Sequence, residues 1–174
     1  MLHLVLLYSL LAALYVLALQ LAALIESLGP SGFGALLAMS GVGMAIGAVV
    51  IAQAGHRFSR RWLSATGLGT ITWTLVLLSQ LRGSLGFTLG LCGILGVGAA
   101  LVAIPAQTTI QEETPESERG RVFGLQNNLI NIALSLPLVL AGTLVSSIGL
   151  QPVLLLLAGL ALTAALLELS LIHI

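Results

Sequence analysis

The chain has 174 residues, of which 58% are hydrophobic and only 7% charged, and its six basic and six acidic residues give a formal net charge of zero. Soluble domains carry about 25% charged residues, so the composition argues against a water-soluble fold. A chain with no net charge and no basic stripe also lacks the footprint of a nucleic-acid binder.

The positive charges are all arginine, the negative ones all glutamate, and between them lie apolar runs of the length that crosses a bilayer, about 20 residues each. These runs predict an all-α membrane protein of six transmembrane helices, approximately Leu2 to Ile25, Phe33 to Ala54, Leu63 to Leu81, Phe87 to Ile110, Val122 to Val145 and Val153 to Leu169. They lack the dyad alternation of a transmembrane barrel, and a helix satisfies its own backbone groups in hydrocarbon. The first span has no basic segment before it and is too long for a signal peptide. Tyr8 and Tyr15 share one of its faces, Gln20 follows toward the far end, and Glu26 sits where interfacial water can reach it. In the second span Gly41, Gly43 and Gly47 are read as packing residues that let another helix backbone approach. Trp62 opens the third span as an interfacial anchor, and Trp73 lies in its middle.

The fourth span holds the lone Cys92, read as a small apolar filler, and ends with Pro105, Gln107 and Gln111. Because the fifth span starts from the same side, these glutamines are expected to meet Asn127 and Asn128 across the hairpin, as a gate or as an ordinary staple. Thr114 is expected to cap a short interfacial helix starting at Pro115, with Glu116 near its positive end. Asn127, Asn131 and Ser135 then recur at spacings of four, forming a polar stripe on the fifth span. The stripe suits the lining of a cavity or bonding to neighbouring helices, and Pro137 beyond it suits a kink.

Five of the six arginines fall in two connections: Arg57, Arg60 and Arg61 in the second, Arg119 and Arg121 in the fourth. The positive-inside rule makes those connections cytoplasmic and places both termini there. No charged residue is expected deep within a span, no metal-ligand cluster or catalytic motif is present, and no cofactor is implied. An enzyme is therefore not expected.

The segment from Ala52 to Arg61, AQAGHRFSRR, resembles the short loop motif of the major facilitator superfamily. Arg57, Arg60 and Arg61 stand on its basic positions, whereas Ala52, His56 and Ser59 replace the usual Gly, Asp and Gly. TPESERGRVFGLQNNL, from Thr114 to Leu129, is similar to the connection before the eleventh helix in drug-exporter branches of that family. The resemblance implies that residues 1–168 form one half of a major facilitator fold, matching helices seven to twelve, with an amino-terminal six-helix half missing from this chain. It further implies a secondary transporter in an integral, multi-pass setting such as a bacterial inner or plasma membrane. Such a protein works by alternating access between two bundles, with membrane lipid around it and a small-molecule substrate between them.

Under that resemblance the gating residues are His56, Arg57, Arg60, Arg61, Arg119 and Arg121. The cavity-lining residues are Tyr8, Tyr15, Gln20, Gln107, Asn127, Asn131 and Ser135. An apolar cavity with scattered amides and tyrosines suits export of amphipathic molecules or drugs. The alternative is a self-standing six-helix scaffold or homodimer. Residues 169–174, LSLIHI, are similar to the translation of a transposase-end sequence used in library preparation, so they are expected to be a non-native tail. Met1 is then an internal start and the chain a fragment.

Overall fold

The computed structural model describes residues 8–9, 32–80 and 85–170. Among them are five long helices: α1 (Gly32–Ala54), α2 (Arg60–Gln80), α3 (Leu85–Glu113), α4 (Arg119–Ile148) and α5 (Leu150–Ser170). All five are long and apolar enough to cross a membrane, and no strand occurs among the described residues. They correspond to the second through sixth spans read from the sequence. The first span lies outside the described residues except for Tyr8 and Ser9, which are helical and half-buried. Tyr15, Gln20 and Glu26 therefore fall outside the description.

The helices overrun the predicted spans where the chain leaves hydrocarbon. α3 continues to Glu113 rather than Ile110, and α4 begins at Arg119 rather than Val122. Hydropathy stops a span at its first polar residues, but backbone hydrogen bonding continues into the interface, where those side chains are solvated. The connection between them is shorter than expected. A three-residue 3-10 turn, Glu116–Glu118, is closed by the Glu118 N–H donating to Pro115 O at 3.0 Å. Thr114 does not cap it; its hydroxyl donates back to Ile110 O at 2.6 Å and finishes α3 instead. The last connection shrinks to Gly149, whose φ of +89° suits a residue without a Cβ and whose N–H closes on Val145 O at 3.0 Å.

α3 lies between α1 and α2, and α2 packs in turn on α5. Leu68, Ile71 and Leu75 of α2, Leu95 and Val102 of α3, and Val153, Leu154 and Ala161 of α5 form the main buried cluster. A smaller cluster places the free Cys92 against Leu36, beside Phe33 and Met39. Lipid tails are as apolar as these side chains, so close packing rather than water exclusion holds the helices together. Small residues supply that closeness. A Cβ on Gly43 would overlap Gly93 O, one on Gly96 would overlap Ser40 O, and one on Gly47 would lie 2.7 Å from the Ala100 Cβ. Gly67 and Gly98 bring α2 and α3 together in the same way. Gly41, expected to share this role, has nothing within 4 Å and faces outward.

α2 is the least apolar of the five helices, and its hydroxyls are satisfied locally. Thr66, Thr70, Thr72 and Thr74 each donate to a carbonyl of the preceding turn at 2.7–2.9 Å. Hydroxyls bonded in this way need no outside partner in hydrocarbon. Trp73 projects from the same helix and is 66% exposed.

Candidate functional site

The ends of five helices lie on the arginine-bearing side of the bundle, and four of them, α2 to α5, border a common cavity. After α1 the chain makes a 3-10 turn, Gly55–Arg57, and the Ser59 hydroxyl accepts the Trp62 N–H at 3.2 Å, fixing the start of α2. This sets Arg60 and Arg61 on the first turn of α2. Arg60 donates to the Thr109 hydroxyl at 3.1 Å and forms an ion pair with Glu112, so the start of α2 is tied to the end of α3. Thr109 is itself held, donating to Pro105 O at 2.9 Å. Pro105 lies inside α3, which continues through it although proline has no N–H to donate one turn upstream.

A cavity of about 540 Å³ opens between these ends, lined among others by Arg60, Arg61, Ser64, Thr109, Glu113 and Glu168. Glu168, on the last turn of α5, is only 4% exposed. A carboxylate at a helix C-terminus faces the negative end of the dipole, and a buried charge needs compensation. Its position among two guanidinium groups lining the same cavity supplies that electrostatic setting. The sequence reading missed Glu168. Its signal was available: one carboxylate in the run LALTAALLELS, at the helix end that the alternating topology brings to the arginines.

The predicted gating residues divide in the structure. Arg60 and Arg61 come together at the cavity. Arg57 is exposed in the turn before α2, and the side chain of His56 lies outside the description. Arg119 turns back on its own connection, with Nε donating to Thr114 O at 3.4 Å and Nη1 lying 3.6 Å from Glu116. Arg121 is exposed on α4.

The cavity-lining set divides as well. Gln107 is half-buried on α3, but its partner across the hairpin is Gln126, which donates from Nε2 to Gln107 Oε1 at 2.6 Å. The expected meeting with Asn127 and Asn128 does not occur, because one residue of α-helix rotates a side chain by about 100°. Both asparagines face outward, as does Gln111. Asn131 and Ser135 continue this exposed stripe on α4, with the Ser135 hydroxyl donating to Asn131 O at 2.8 Å. α4 runs through Pro137 without ending. Beside Pro137, an apolar crevice of about 210 Å³ separates α4 from α5 and reaches Ser9.

Comparison with known proteins matches residues 1–173 to the family model described as Major Facilitator Superfamily. No curated protein and no solved structure matches the chain. Five membrane-length helices and a family match over nearly the whole length describe an integral, multi-pass membrane protein whose family moves small molecules across the bilayer. The chain belongs to the major facilitator superfamily, a family of transporters and not of enzymes.

Proposed function

We propose that this chain is the carboxy-terminal six-helix half of a drug-exporter-like transporter, which expels amphipathic small molecules by rocking against an amino-terminal half. The observation that carries this reading is the outer surface of α4. It presents Asn127, Asn131 and Ser135 together with the exposed Leu125, Ile132 and Val139. Amides within a membrane span are costly toward lipid and are found facing cavities or other helices. A face that mixes amides with branched aliphatics offers an amphipathic molecule both of its preferred contacts. The crevice beside Pro137 adds apolar volume next to that face.

The test uses the reading frame extended upstream and expressed in cells stripped of their own exporters, with efflux of a lipophilic dye as the readout. Asn131→Leu should lower efflux severalfold without lowering membrane insertion. Unchanged efflux in Asn131→Leu and Asn127→Leu would remove α4 from the substrate path.

In the same proposal the arginines latch the cytoplasmic side, with both termini on that side. The Arg60 bridge to Thr109 and Glu112 supports Arg60, rather than Arg57, as the residue through which the latch acts. That bridge joins neighbours within one bundle, so it stiffens the face that a second half would meet.

A further inference from the structure

The cavity of about 540 Å³ at the arginine-bearing ends falls within the size range of ligand sites, about 300–1,000 Å³. Its exposed lining groups, Arg60, Arg61 and Glu113, give it a charged mouth, and it reaches inward to Pro105, about 12 Å from the end of α3. Two of its polar groups are unspent. Ser64 is only 7% exposed, and its hydroxyl makes no hydrogen bond among the described residues, whereas Ser79 and Ser135 bond the preceding turn of their own helices. That oxygen is not sealed either, so its free valences turn into the cavity that Ser64 lines. Buried hydroxyls are nearly always satisfied, so one left open in a cavity wall calls for a ligand or water. Glu113, the last residue of α3, likewise has neither ion pair nor hydrogen bond among the described residues. The remaining charges are committed: Arg60 to Thr109 and Glu112, and Arg61 and Glu168 each to an interaction of its own. Because α2 and α4 begin here while α3 and α5 end, their dipoles oppose one another and the side chains set the sign. Two arginines stand against Glu112, Glu113 and Glu168, which leaves one negative charge in excess.

We propose that this cavity is a binding site for a primary ammonium group, with Glu113 as its counter-charge and the Ser64 oxygen as a second acceptor. An ammonium carries three N–H donors on a compact head. One meets the Glu113 carboxylate, one the Ser64 hydroxyl, and the third keeps water at the mouth. Hydrogen bonds of this charge-assisted kind are about twice as strong as neutral ones. The hydrocarbon body of the ligand lies against Ala106, Ile110 and Val122. No aromatic side chain lines the cavity among the described residues, so a quaternary ammonium, which lacks N–H and is held by aromatic faces, is not matched. An anion meets the excess negative charge and finds both guanidinium groups engaged. The site is built by α2 to α5 of this chain alone and stands whether or not the exporter reading holds.

The test measures equilibrium binding of four radiolabelled probes that share one ring: benzylammonium, benzyltrimethylammonium, benzyl alcohol and benzoate. The 174-residue chain is held in phosphatidylcholine nanodiscs, which offer no primary ammonium, and empty discs are subtracted. Benzylammonium should bind at least about tenfold more tightly than the quaternary ion or the alcohol, the scale of one charge-assisted hydrogen bond, and benzoate should not bind. In Glu113→Gln the affinity for benzylammonium should fall to that of the alcohol, while the melting temperature without ligand stays the same and reports an intact bundle. Ser64→Ala should weaken benzylammonium about fivefold. Discs containing phosphatidylethanolamine separate two sources of the group: displacement of benzylammonium assigns the site to a lipid headgroup, undiminished binding to a soluble amine, and either supports an ammonium site. Equal binding of benzylammonium and the alcohol, tighter binding of benzoate, or a preference that survives Glu113→Gln overturns it.

Discussion

The two most exposed helices, α1 and α4, depart from the central trio of α2, α3 and α5 in different ways. α1 buries a narrow seam of glycines and Leu36 against α3 and leaves much of its surface, including Val42, Ile46 and Val49, outside. α4 makes sparse contact with α5, is bridged to α3 through Gln126, and exposes both amides and aliphatics. Among the described residues, α1 is held by backbone proximity, whereas α4 meets its neighbours through Gln126 near its start and through Ala141 and Val145 toward its end. A helix held by a seam resists displacement all along it.

The largest expected effect tests the seam. Gly43→Ala places a Cβ onto the backbone oxygen of Gly93, which cannot rotate away, so α1 and α3 must separate. The cost should be about 3 kcal/mol, at the upper end for overpacking, and a thermal melt followed by size-exclusion retention in detergent will read it. Gly34→Ala, with nothing within 4 Å, should melt with the unmodified chain. Equal melting of the two variants would mean that α1 is not held by its glycines.

Next comes the contrast between the central trio and α4. Leu75 is completely buried and Ile132 is 62% exposed. Leu75→Ala should cost about 2–3 kcal/mol through the cavity it leaves, and Ile132→Ala no more than about 0.5 kcal/mol. A large loss at Ile132 would show that α4 is as firmly packed as the core.

A smaller effect is expected at the charged end. Arg60 and Glu112 are each about half exposed, so their bridge should contribute less than about 1 kcal/mol, decreasing in high salt. Arg60→Ala and Glu112→Ala should lower the melting temperature by similar small amounts, and the double variant by scarcely more than either. Additive losses would show that the two side chains stabilise the bundle separately. The smallest effect belongs to the exposed stripe. Asn131→Leu should leave stability within about 0.5 kcal/mol while lowering efflux, so a stability loss without an efflux loss would mark Asn131 as structural.

Legibility in the sequence followed the strength of the physical signal. Glycine seams were half visible. Gly43 and Gly47 were singled out and do meet α3, but Gly41 looks the same in sequence and faces outward. Their counterpart Gly96, and the Gly67–Gly98 contact, were not singled out, although GLCGILGVG in the fourth span carries the same close spacing. In the fifth span the run of Gln126, Asn127 and Asn128 announced amides without saying which one turns inward. α4 does carry a polar stripe, but beside lipid such a stripe does not say which of three adjacent amides turns inward, as it would at a water boundary.

What the sequence determined by itself is where five membrane-length apolar helices lie along the chain and which connections carry the arginines. Those features depend on summed transfer free energy along the chain and on charge, and neither needs a partner to be read. Only the tertiary structure decided which face of each helix is inside: that Arg60 reaches Thr109 and Glu112, that Glu168 is buried beside the same cavity, and that Gln126 rather than Asn127 meets Gln107. Such choices come from short-range packing and single hydrogen bonds between helices that lipid would accept in any rotation, so they exist only once the helices have met.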